Sequence, residues 1–427
     1  MYQNRKSFLK KMGSGLLLAA STSGISLSSK KYFAPFDAKD FEGSGDSTDE
    51  KYWRHISKKY YDVSDSFINL ENGYFGVQAK PVMQAFLENT ALLNKELSKF
   101  ARLDYPELFT VVKKQVAAFL QVADDEIIIT RNATEAMNIA IQGYPFKDAD
   151  EVILSQLDYP SVIETFQMLE KRGRLKIKTI ELPLLPKTDD EIVEIYRQAI
   201  SSKTKVILLT QVSNFNGLII PVKKIATMAK AKGIDTITDA AHALGHIPFS
   251  LPELQTDFVG MNLHKWIGNP IGVGVLYVKK ERQSLLQPLF GDVLINENNI
   301  AKLSHFGTTN FAINMTIPAS FAFHKLMDVE KISKRLHYLK SIWVNEFQNH
   351  STVEVITPVE PDLSCAIASF RIKNKNTADI ASYLFKQHRV FTVNRVFDVN
   401  RCIRVTPAVY NSSDDIKKLV MGIKDFA

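Results

Sequence analysis

The sequence predicts an α/β protein, with a mainly parallel sheet in a large domain and a small α+β domain at the C-terminus. From Glu126 onward, short β-branched runs alternate with amphipathic helical stretches, which is the pattern of a parallel sheet covered by helices on both faces. Runs such as Ile127–Thr130 and Val206–Thr210 are almost wholly apolar, as strands buried on both faces are. After about residue 320 the alternation gives way to a long helical region, which indicates a separate small domain.

The individual elements follow from the spacing of apolar residues, which repeats every 3.6 residues in a helix and every two, or continuously, in a strand. The predicted helices are Trp53–Tyr61, Lys80–Asn94, Pro106–Leu120, Thr134–Ile141, Val162–Lys171, Asp190–Ile200, Val222–Ala231 and Thr377–Gln387. The predicted strands are Ile127–Thr130, Val152–Leu154, Ile177–Leu182, Val206–Thr210, Ile234–Asp239, Asp257–Met261, Gly272–Val278 and Ala366–Ile372.

Length and composition restrict the class of protein. The chain has 427 residues, of which 45% are hydrophobic and 23% are charged, as in a globular protein of two or three domains. The net charge is +7, but residues 1–36 hold six lysines and arginines and no acidic residue, so the rest of the chain carries only +1. A nearly neutral body gives no support for binding to nucleic acid or to a membrane surface.

Residues 1–36 resemble a targeting leader rather than part of a fold. The segment Asn4–Lys10 is similar to a twin-arginine export signal with Lys6 in place of the second arginine, and the apolar stretch after it is too short for a stable membrane span. We predict export to the periplasm; the alternative is a disordered tail on a cytoplasmic protein. Residues 37–75 are predicted to be a linker and N-terminal segment, 76–320 the large domain and 321–427 the small domain.

Two apolar runs deliver an acid and a lysine to the same edge of the predicted sheet. The first run ends at Asp239, and Lys265 lies just past the second. A lysine amine can form a Schiff base with an aldehyde cofactor, and a carboxylate can keep a pyridine nitrogen protonated, so the pair indicates pyridoxal 5′-phosphate (PLP). The alternatives are a non-catalytic binding protein and a Rossmann-type nucleotide enzyme, which the absence of a Gly-x-Gly-x-x-Gly motif after the first strand disfavours.

The residues around this acid and lysine resemble a known family. Asp239-Ala240-Ala241-His242 and Asn262-Leu263-His264-Lys265 are similar to motifs of the class V aminotransferases, which are PLP enzymes of fold type I. The branch that they resemble most contains the isopenicillin N epimerase-like proteins, and the cysteine desulfurases are a related branch. The resemblance runs from about Asn69 to the C-terminus. It implies a seven-stranded sheet and a homodimer with the active site at the subunit interface.

The resemblance also implies roles for individual residues. The predicted catalytic residues are Lys265, which would carry the cofactor, Asp239 at the pyridine nitrogen and His242 at the phenolic oxygen. The other predicted cofactor contacts are Ala133 and Thr134 at the phosphate, Tyr159 stacked on the ring, Asn214 at the phenolic oxygen, Asn262 and His264, and Thr308 from the neighbouring subunit. The predicted substrate contacts are Arg404, for the α-carboxylate, with Asn72 and Gly73. As bare sequence, several of these positions are also typical of helix caps, turns or core residues.

The predicted activity is removal of the Cα proton from a small amino acid bound to PLP, followed by transamination or epimerisation. A β-elimination lyase is the alternative. A desulfurase that forms a persulfide on a cysteine is disfavoured, because residues 391–398 contain no cysteine and Cys402 lies only two residues before Arg404. With Cys365 as the other cysteine, the chain has too few for a metal cluster or a disulfide framework, and no metal site is predicted.

Overall fold

The computed structural model describes residues 36–43, 45–291, 296–397 and 400–427. The predicted leader, apart from Phe36, lies outside the described residues. The helices are α1 (Glu50–Tyr60), α2 (Lys80–Lys99), α3 (Tyr105–Leu120), α4 (Ala133–Gly143), α5 (Pro160–Lys171), α6 (Asp189–Ala199), α7 (Val222–Lys230), α8 (Phe311–Met327), α9 (Val329–Phe347), α10 (Thr377–His388) and α11 (Ser413–Phe426). The strands are β1 (Ile68–Asn69), β2 (Ile127–Thr130), β3 (Glu151–Ser155), β4 (Lys176–Ile180), β5 (Thr204–Thr210), β6 (Asp235–Asp239), β7 (Phe258–Asn262), β8 (Gly274–Val278), β9 (Val353–Val355), β10 (Ala368–Ile372), β11 (Val390–Phe391), β12 (Val393–Phe397) and β13 (Asn400–Val405).

The large sheet has seven strands in the order β2-β8-β7-β6-β5-β3-β4. Strands β4, β3, β5, β6 and β7 run parallel to one another, whereas β8 is antiparallel to both of its neighbours, β7 and β2. The prediction of a mainly parallel, seven-stranded sheet is confirmed. Because β8 is antiparallel to both β7 and β2, strand β2 runs in the same direction as β3, β5, β6 and β7. The C-terminal ends of these five strands therefore lie at one edge of the sheet, which we call the carboxyl edge.

The inner strands of this sheet are buried on both faces, which explains why β5 and β8 read as continuous apolar runs. In β5, Ile207 and Leu209 belong to the hydrophobic core on one face, while Val206 and Leu208 belong to the core on the other. An alternating polar pattern would place polar side chains in one of these two cores. Polar groups that act on a ligand are therefore expected at the strand ends and in the loops that follow them.

A second sheet of four strands forms the C-terminal region, in the order β12-β13-β10-β9. Helices α9, α10 and α11 supply apolar residues to its core, among them Leu339, Trp343 and Phe347. The segment that contains β1 joins this region: β1 pairs in parallel with β11, and Leu70 is buried in the same core. From there the chain continues past Asn72, whose N–H donates to the Thr406 carbonyl (3.1 Å), toward the large sheet.

Among the described residues, no helix is both long enough and apolar enough to cross a bilayer.

Candidate active site

Asp239 is the last residue of β6, on the carboxyl edge, and it is 5% exposed. One carboxylate oxygen, Oδ1, accepts a hydrogen bond from the Ala241 N–H (2.9 Å), which fixes the side chain. Burial raises the pKa of Asp239, and the Ala241 N–H and the nearby charge of Lys265 oppose that shift. A buried acid with one oxygen fixed in this way can accept a hydrogen bond from a cationic ring nitrogen.

Lys265 and His242 form a hydrogen-bonded pair beside this acid. The Nζ atom of Lys265 lies 3.1 Å from Nε2 of His242. Burial lowers the pKa of Lys265 from its usual 10.5 to about 8, the charge of Asp239 opposes this, and Arg404 adds to it. The acid and the lysine predicted from the sequence are therefore close enough to change each other's pKa.

His242 is neutral because burial, reinforced by Lys265 and Arg404, lowers its pKa well below the usual value. The indole N–H of Trp266 donates to Nδ1 of His242 (3.4 Å). This leaves the ring proton on Nε2, where it can donate to the amine of Lys265 when that amine is deprotonated. His246 supports the arrangement, because its ring stacks on Trp266 with centroids 3.7 Å apart and its Nδ1 donates to the His242 carbonyl (2.9 Å). Sequence reasoning missed Trp266, although the residue adjoins Lys265.

Two further contacts hold the loop that carries Lys265. The Nδ1 atom of His264 donates to the Val273 carbonyl (2.9 Å), and burial lowers the pKa of this histidine. The Gly76 N–H donates to the His264 carbonyl (2.9 Å). A Cβ atom on Gly76 would lie 2.0 Å from the Lys265 carbonyl oxygen, so only glycine permits this close approach. The segment after β1 therefore passes directly against the lysine.

The N-terminus of α4 lies at the carboxyl edge, after β2. Asn132 is the N-cap and accepts from the Glu135 N–H (2.8 Å), while the Ala133 N–H donates to the Asn262 side-chain oxygen (2.8 Å). Thr134, in the first turn, is exposed. Asn262 therefore connects the end of β7 to the helix start, and the first-turn N–H groups of such a helix favour an anion such as phosphate.

The loops after β3 and β5 bring Tyr159 and Asn214 to the same edge. Tyr159 precedes α5 and is 36% exposed, whereas Asn214 is buried and its Oδ1 atom has no hydrogen-bond partner in the part of the chain that the structure describes. Beside them lies Asp158, which sequence reasoning missed. It accepts hydrogen bonds from the Thr210 hydroxyl (2.6 Å) and the Ser155 N–H (2.7 Å), and burial raises its pKa to about 7.

Arg404 on β13 is 2% exposed and is bound on two sides. Its Nη2 and Nε atoms donate to the Glu71 carboxylate, with Nε 3.4 Å from Oε2, and Nη1 donates to the Asn214 carbonyl (2.9 Å). The sequence predicted the arginine but not Glu71. As bare sequence the Asn72-Gly73 pair is as typical of a turn as of a substrate contact. It indicates no role for Glu71, because a pairing with a residue 333 positions away has no local signal.

The predicted substrate residues Asn72 and Gly73 lie against this arginine. The Gly73 N–H donates to Oγ1 of Thr406 (2.9 Å), and a Cβ atom on Gly73 would lie 3.5 Å from Nη2 of Arg404. Asn72 is buried, and its Oδ1 accepts from the Tyr410 hydroxyl (3.4 Å). These residues form one end of the site, which we call the arginine end.

Thr308 is the predicted residue that a single chain does not bring to the site. It is exposed, in the loop before α8, and among the described residues no hydrogen bond joins it to Lys265 or its neighbours. Its role in a neighbouring subunit stays a prediction.

The residues present fit PLP. Asp239 can accept from the pyridine nitrogen, Lys265 lies beside it with a lowered pKa, and the α4 N-terminus suits the phosphate. In addition, the side-chain oxygens of Gln211 and Asn214 are buried at this edge without a partner among the described residues, as expected where a polar ligand completes the hydrogen bonding. The fold and site together define a PLP-dependent enzyme of fold type I.

Comparison with known proteins places the chain in a family. The family model for aminotransferase class-V matches residues 81–419, and the chain belongs to this family. Isopenicillin N epimerase from Amycolatopsis lactamdurans is 22% identical over 390 residues, covering 87% of this chain and 98% of that protein. Hercynylcysteine sulfoxide lyase from Schizosaccharomyces pombe is 22% identical and covers 87% of this chain and 97% of that protein.

Solved structures show the same fold. The apo cysteine desulfurase from Thermococcus onnurineus NA1 matches with a TM-score of 0.77 and 20% identity, covering 87% of this chain and 97% of that one. A variant of C-DES with glycine covalently linked to the PLP cofactor matches with a TM-score of 0.75 and 17% identity, covering 89% of this chain and all of that one. The predicted family, fold and cofactor are confirmed.

Proposed function

We propose that this protein removes the Cα proton from a small amino acid and then transaminates or epimerises it. The observation that carries the proposal is the hydrogen bond between Lys265 Nζ and His242 Nε2 (3.1 Å) beside the buried carboxylate of Asp239. This places an amine with a lowered pKa, whose neutral form can take a Cα proton, next to the acid that a PLP ring requires.

Each residue has a separate task in this proposal. PLP, when bound, supplies an electron-withdrawing ring that stabilises the charge left on Cα. Asp239 keeps the proton on the ring nitrogen, because a charge-assisted hydrogen bond favours the protonated form. Lys265 carries the proton, and Trp266 and His242 position its amine. Arg404 orients the α-carboxylate with the N–H groups that Glu71 and Asn214 leave free, since a guanidinium has five and only three are used here.

The thiols of this chain do not suit sulfur transfer through a persulfide. Both cysteines are free and buried. Burial raises the pKa of Cys402 and of Cys365 to about 12, whereas a nucleophilic cysteine needs a lowered pKa and access to the substrate. These observations favour transamination or epimerisation over a persulfide-forming desulfurase.

A β-elimination lyase is the second candidate. The similarity to hercynylcysteine sulfoxide lyase over 87% of the chain favours it. Elimination needs the same Cα deprotonation and no cysteine nucleophile, so Lys265 and Asp239 would act in the same way, and the fate of the β-substituent would differ.

One assay separates these outcomes. The purified holoenzyme is mixed with single amino acids, and the products are analysed for keto acid, inverted Cα stereochemistry and released β-substituent, together with hydrogen exchange at Cα. Cα exchange with keto acid or inversion is the expected result. Release of the β-substituent alone would replace the proposal with the lyase, and the absence of Cα exchange with every amino acid would contradict both.

We further propose a homodimer with its active sites at the interface. Three large apolar side chains are exposed around the lysine loop, namely Tyr74 (70%), Phe75 (42%) and Ile271 (57%), and a cluster of this kind favours contact with another protein surface. A second copy of the chain would cover them and could bring Thr308 to the cofactor phosphate.

Mixed dimers test this arrangement. Lys265→Ala and Thr308→Ala subunits, each impaired alone, would regain activity when combined, because one of the two sites would then have both wild-type residues. Sedimentation must first show a dimer. A monomer, or mixed dimers without recovered activity, would contradict a shared site.

We also propose export of the protein, on the strength of the twin-arginine-like segment at residues 4–10. Cell fractionation of a C-terminally tagged protein tests it, with Arg5→Ala as the control. Periplasmic tag that depends on Arg5 is expected, and tag found only in the cytoplasm would reject export.

A further inference from the structure

The arginine end of the site contains two arginines on one face of a strand pair. In the antiparallel pairing of β12 with β13, Val393 lies opposite Arg404 and Arg395 lies opposite Cys402. Arg395 and Arg404 are therefore diagonal neighbours with their side chains on the same face. That face is directed at the loop after β5, since Arg404 bonds to the Asn214 carbonyl and Cys402 Sγ lies 4.0 Å from the Phe215 carbonyl.

The two arginines differ in their partners. Arg404 is paired with Glu71, whereas the Nε atom of Arg395 is buried without a hydrogen-bond partner, and no ion pair joins Arg395 to a carboxylate in the part of the chain that the structure describes. Burial lowers the pKa of Arg395, the charge of Arg404 adds to this, and that of Glu71 opposes it. A guanidinium nevertheless stays charged in a protein, so Arg395 is a cation at the site with an incomplete set of contacts.

Glu71 sets the balance of charge between these groups. The side chain of Glu71 is 9% exposed and that of Arg404 is 3% exposed. Oε2 of Glu71 also accepts from the Thr406 hydroxyl (3.4 Å). Two guanidinium groups and one carboxylate leave a single uncompensated positive charge. Arg395 and Arg404 both act on the pKa of Lys265, so this charge lies near the position where the substrate reacts.

We propose that Glu71 is a specificity-determining residue, which neutralises one of the two arginines so that the pocket accepts amino acids with a single carboxylate and discriminates against acidic side chains. The inference rests on the proposed function and names the substrate class of that site. An amino acid with a neutral side chain brings one negative charge and completes the balance. Aspartate or glutamate brings a second, which would be buried next to Glu71 without a partner, and an unpaired buried charge is strongly unfavourable.

The test compares substrates that differ in charge but hardly in shape. Dissociation constants of L-asparagine and L-aspartate, and of L-glutamine and L-glutamate, are measured by spectral titration of the holoenzyme. The wild-type protein is expected to bind the neutral member of each pair more tightly. In Glu71→Gln, which keeps the shape and removes the charge, the preference for the neutral member should fall at least tenfold. An unchanged preference, or wild-type binding that favours the acidic members or fails for the neutral ones, would overturn the proposal.

Two further variants make the result specific. Glu50 pairs with the buried Arg335 (2.6 Å) away from the site, so Glu50→Gln removes a comparable ion pair and should leave the preference unchanged. Arg395→Gln removes the uncompensated charge and should weaken asparagine binding at least tenfold, with partial recovery in Arg395→Lys. If Glu71→Gln does not fold, Arg395→Gln decides, because undiminished asparagine affinity there contradicts the charge balance.

Failure of this inference is distinguishable from failure of the proposed function. A holoenzyme whose cofactor absorbance depends on Lys265 and which exchanges the Cα proton retains the proposed function, even if Glu71→Gln has no effect on the preference.

Discussion

The lowered pKa of Lys265 predicts how fast the cofactor-free protein attaches PLP. Attachment requires the neutral amine, because the ammonium form has no lone pair. Burial lowers the pKa of this lysine from 10.5 to about 8. At pH 7 about a tenth of the amine is then neutral, compared with about 0.03% for a lysine with a pKa of 10.5, an advantage of about 300-fold.

Each neighbouring charge should also shift the pKa of Lys265 in a defined direction. Asp239 raises the pKa of Lys265, whereas Arg404 lowers it. Asp239→Asn should therefore shift the pH midpoint of the attachment rate below about 8, and Arg404→Gln should shift it upward.

Stopped-flow absorbance of PLP mixed with cofactor-free protein from pH 6 to 10.5 measures this rate. We expect it to rise with pH and to level off above about 8. Lys340 provides a matched control, since it is also buried, bonds to the Ser364 hydroxyl (2.7 Å) and has a pKa lowered to about 8. Lys340→Met should leave the curve unchanged. A wild-type midpoint near 10.5 would refute the burial of the lysine as the cause of its reactivity.

Three other perturbations follow from single contacts. Trp266→Phe removes the hydrogen bond that sets the His242 ring proton, so kcat should fall about three- to tenfold with little change in Tm; an unchanged kcat would contradict the role of the indole. Gly76→Ala places a Cβ atom 2.0 Å from the Lys265 carbonyl oxygen, so it should lower the free energy of unfolding by about 1–3 kcal/mol in a denaturation assay. Gly291→Ala is the control, because no atom lies within 4 Å of its new Cβ, and it should leave the free energy of unfolding unchanged. Cys402→Ala should keep turnover within about twofold, because burial holds the thiol protonated; abolished turnover would indicate a persulfide mechanism.

Much of the fold was predictable because burial on both faces leaves a strong signal in the sequence. The continuous apolar run of β5 and the position of Asp239 at the end of β6 followed from residue type alone. The reversed direction of β8 did not, since a buried strand has the same composition whichever way it runs. Val111 has the apolar spacing of the predicted helix Pro106–Leu120, yet it is 40% exposed, because helical spacing alone does not define how wide the buried side is.

The candidate site was likewise predictable only in part. The family motifs located Asp239, His242 and Lys265, and the structure brings these three together. The role of Glu71 could not be predicted from the sequence. Its pairing with Arg404 depends on β1 joining the C-terminal region, and the two paired residues are more than three hundred positions apart. Asp158 was missed for a similar reason, since its partner Thr210 lies on a different strand.

The absorbance spectrum of purified protein reconstituted with PLP tests the central claim most directly. Attachment of the cofactor to Lys265 predicts a band near the edge of the visible range that disappears in Lys265→Ala and persists in the control variant Lys340→Met. A spectrum of free PLP in the wild-type protein, or a band that survives Lys265→Ala, would contradict the assignment.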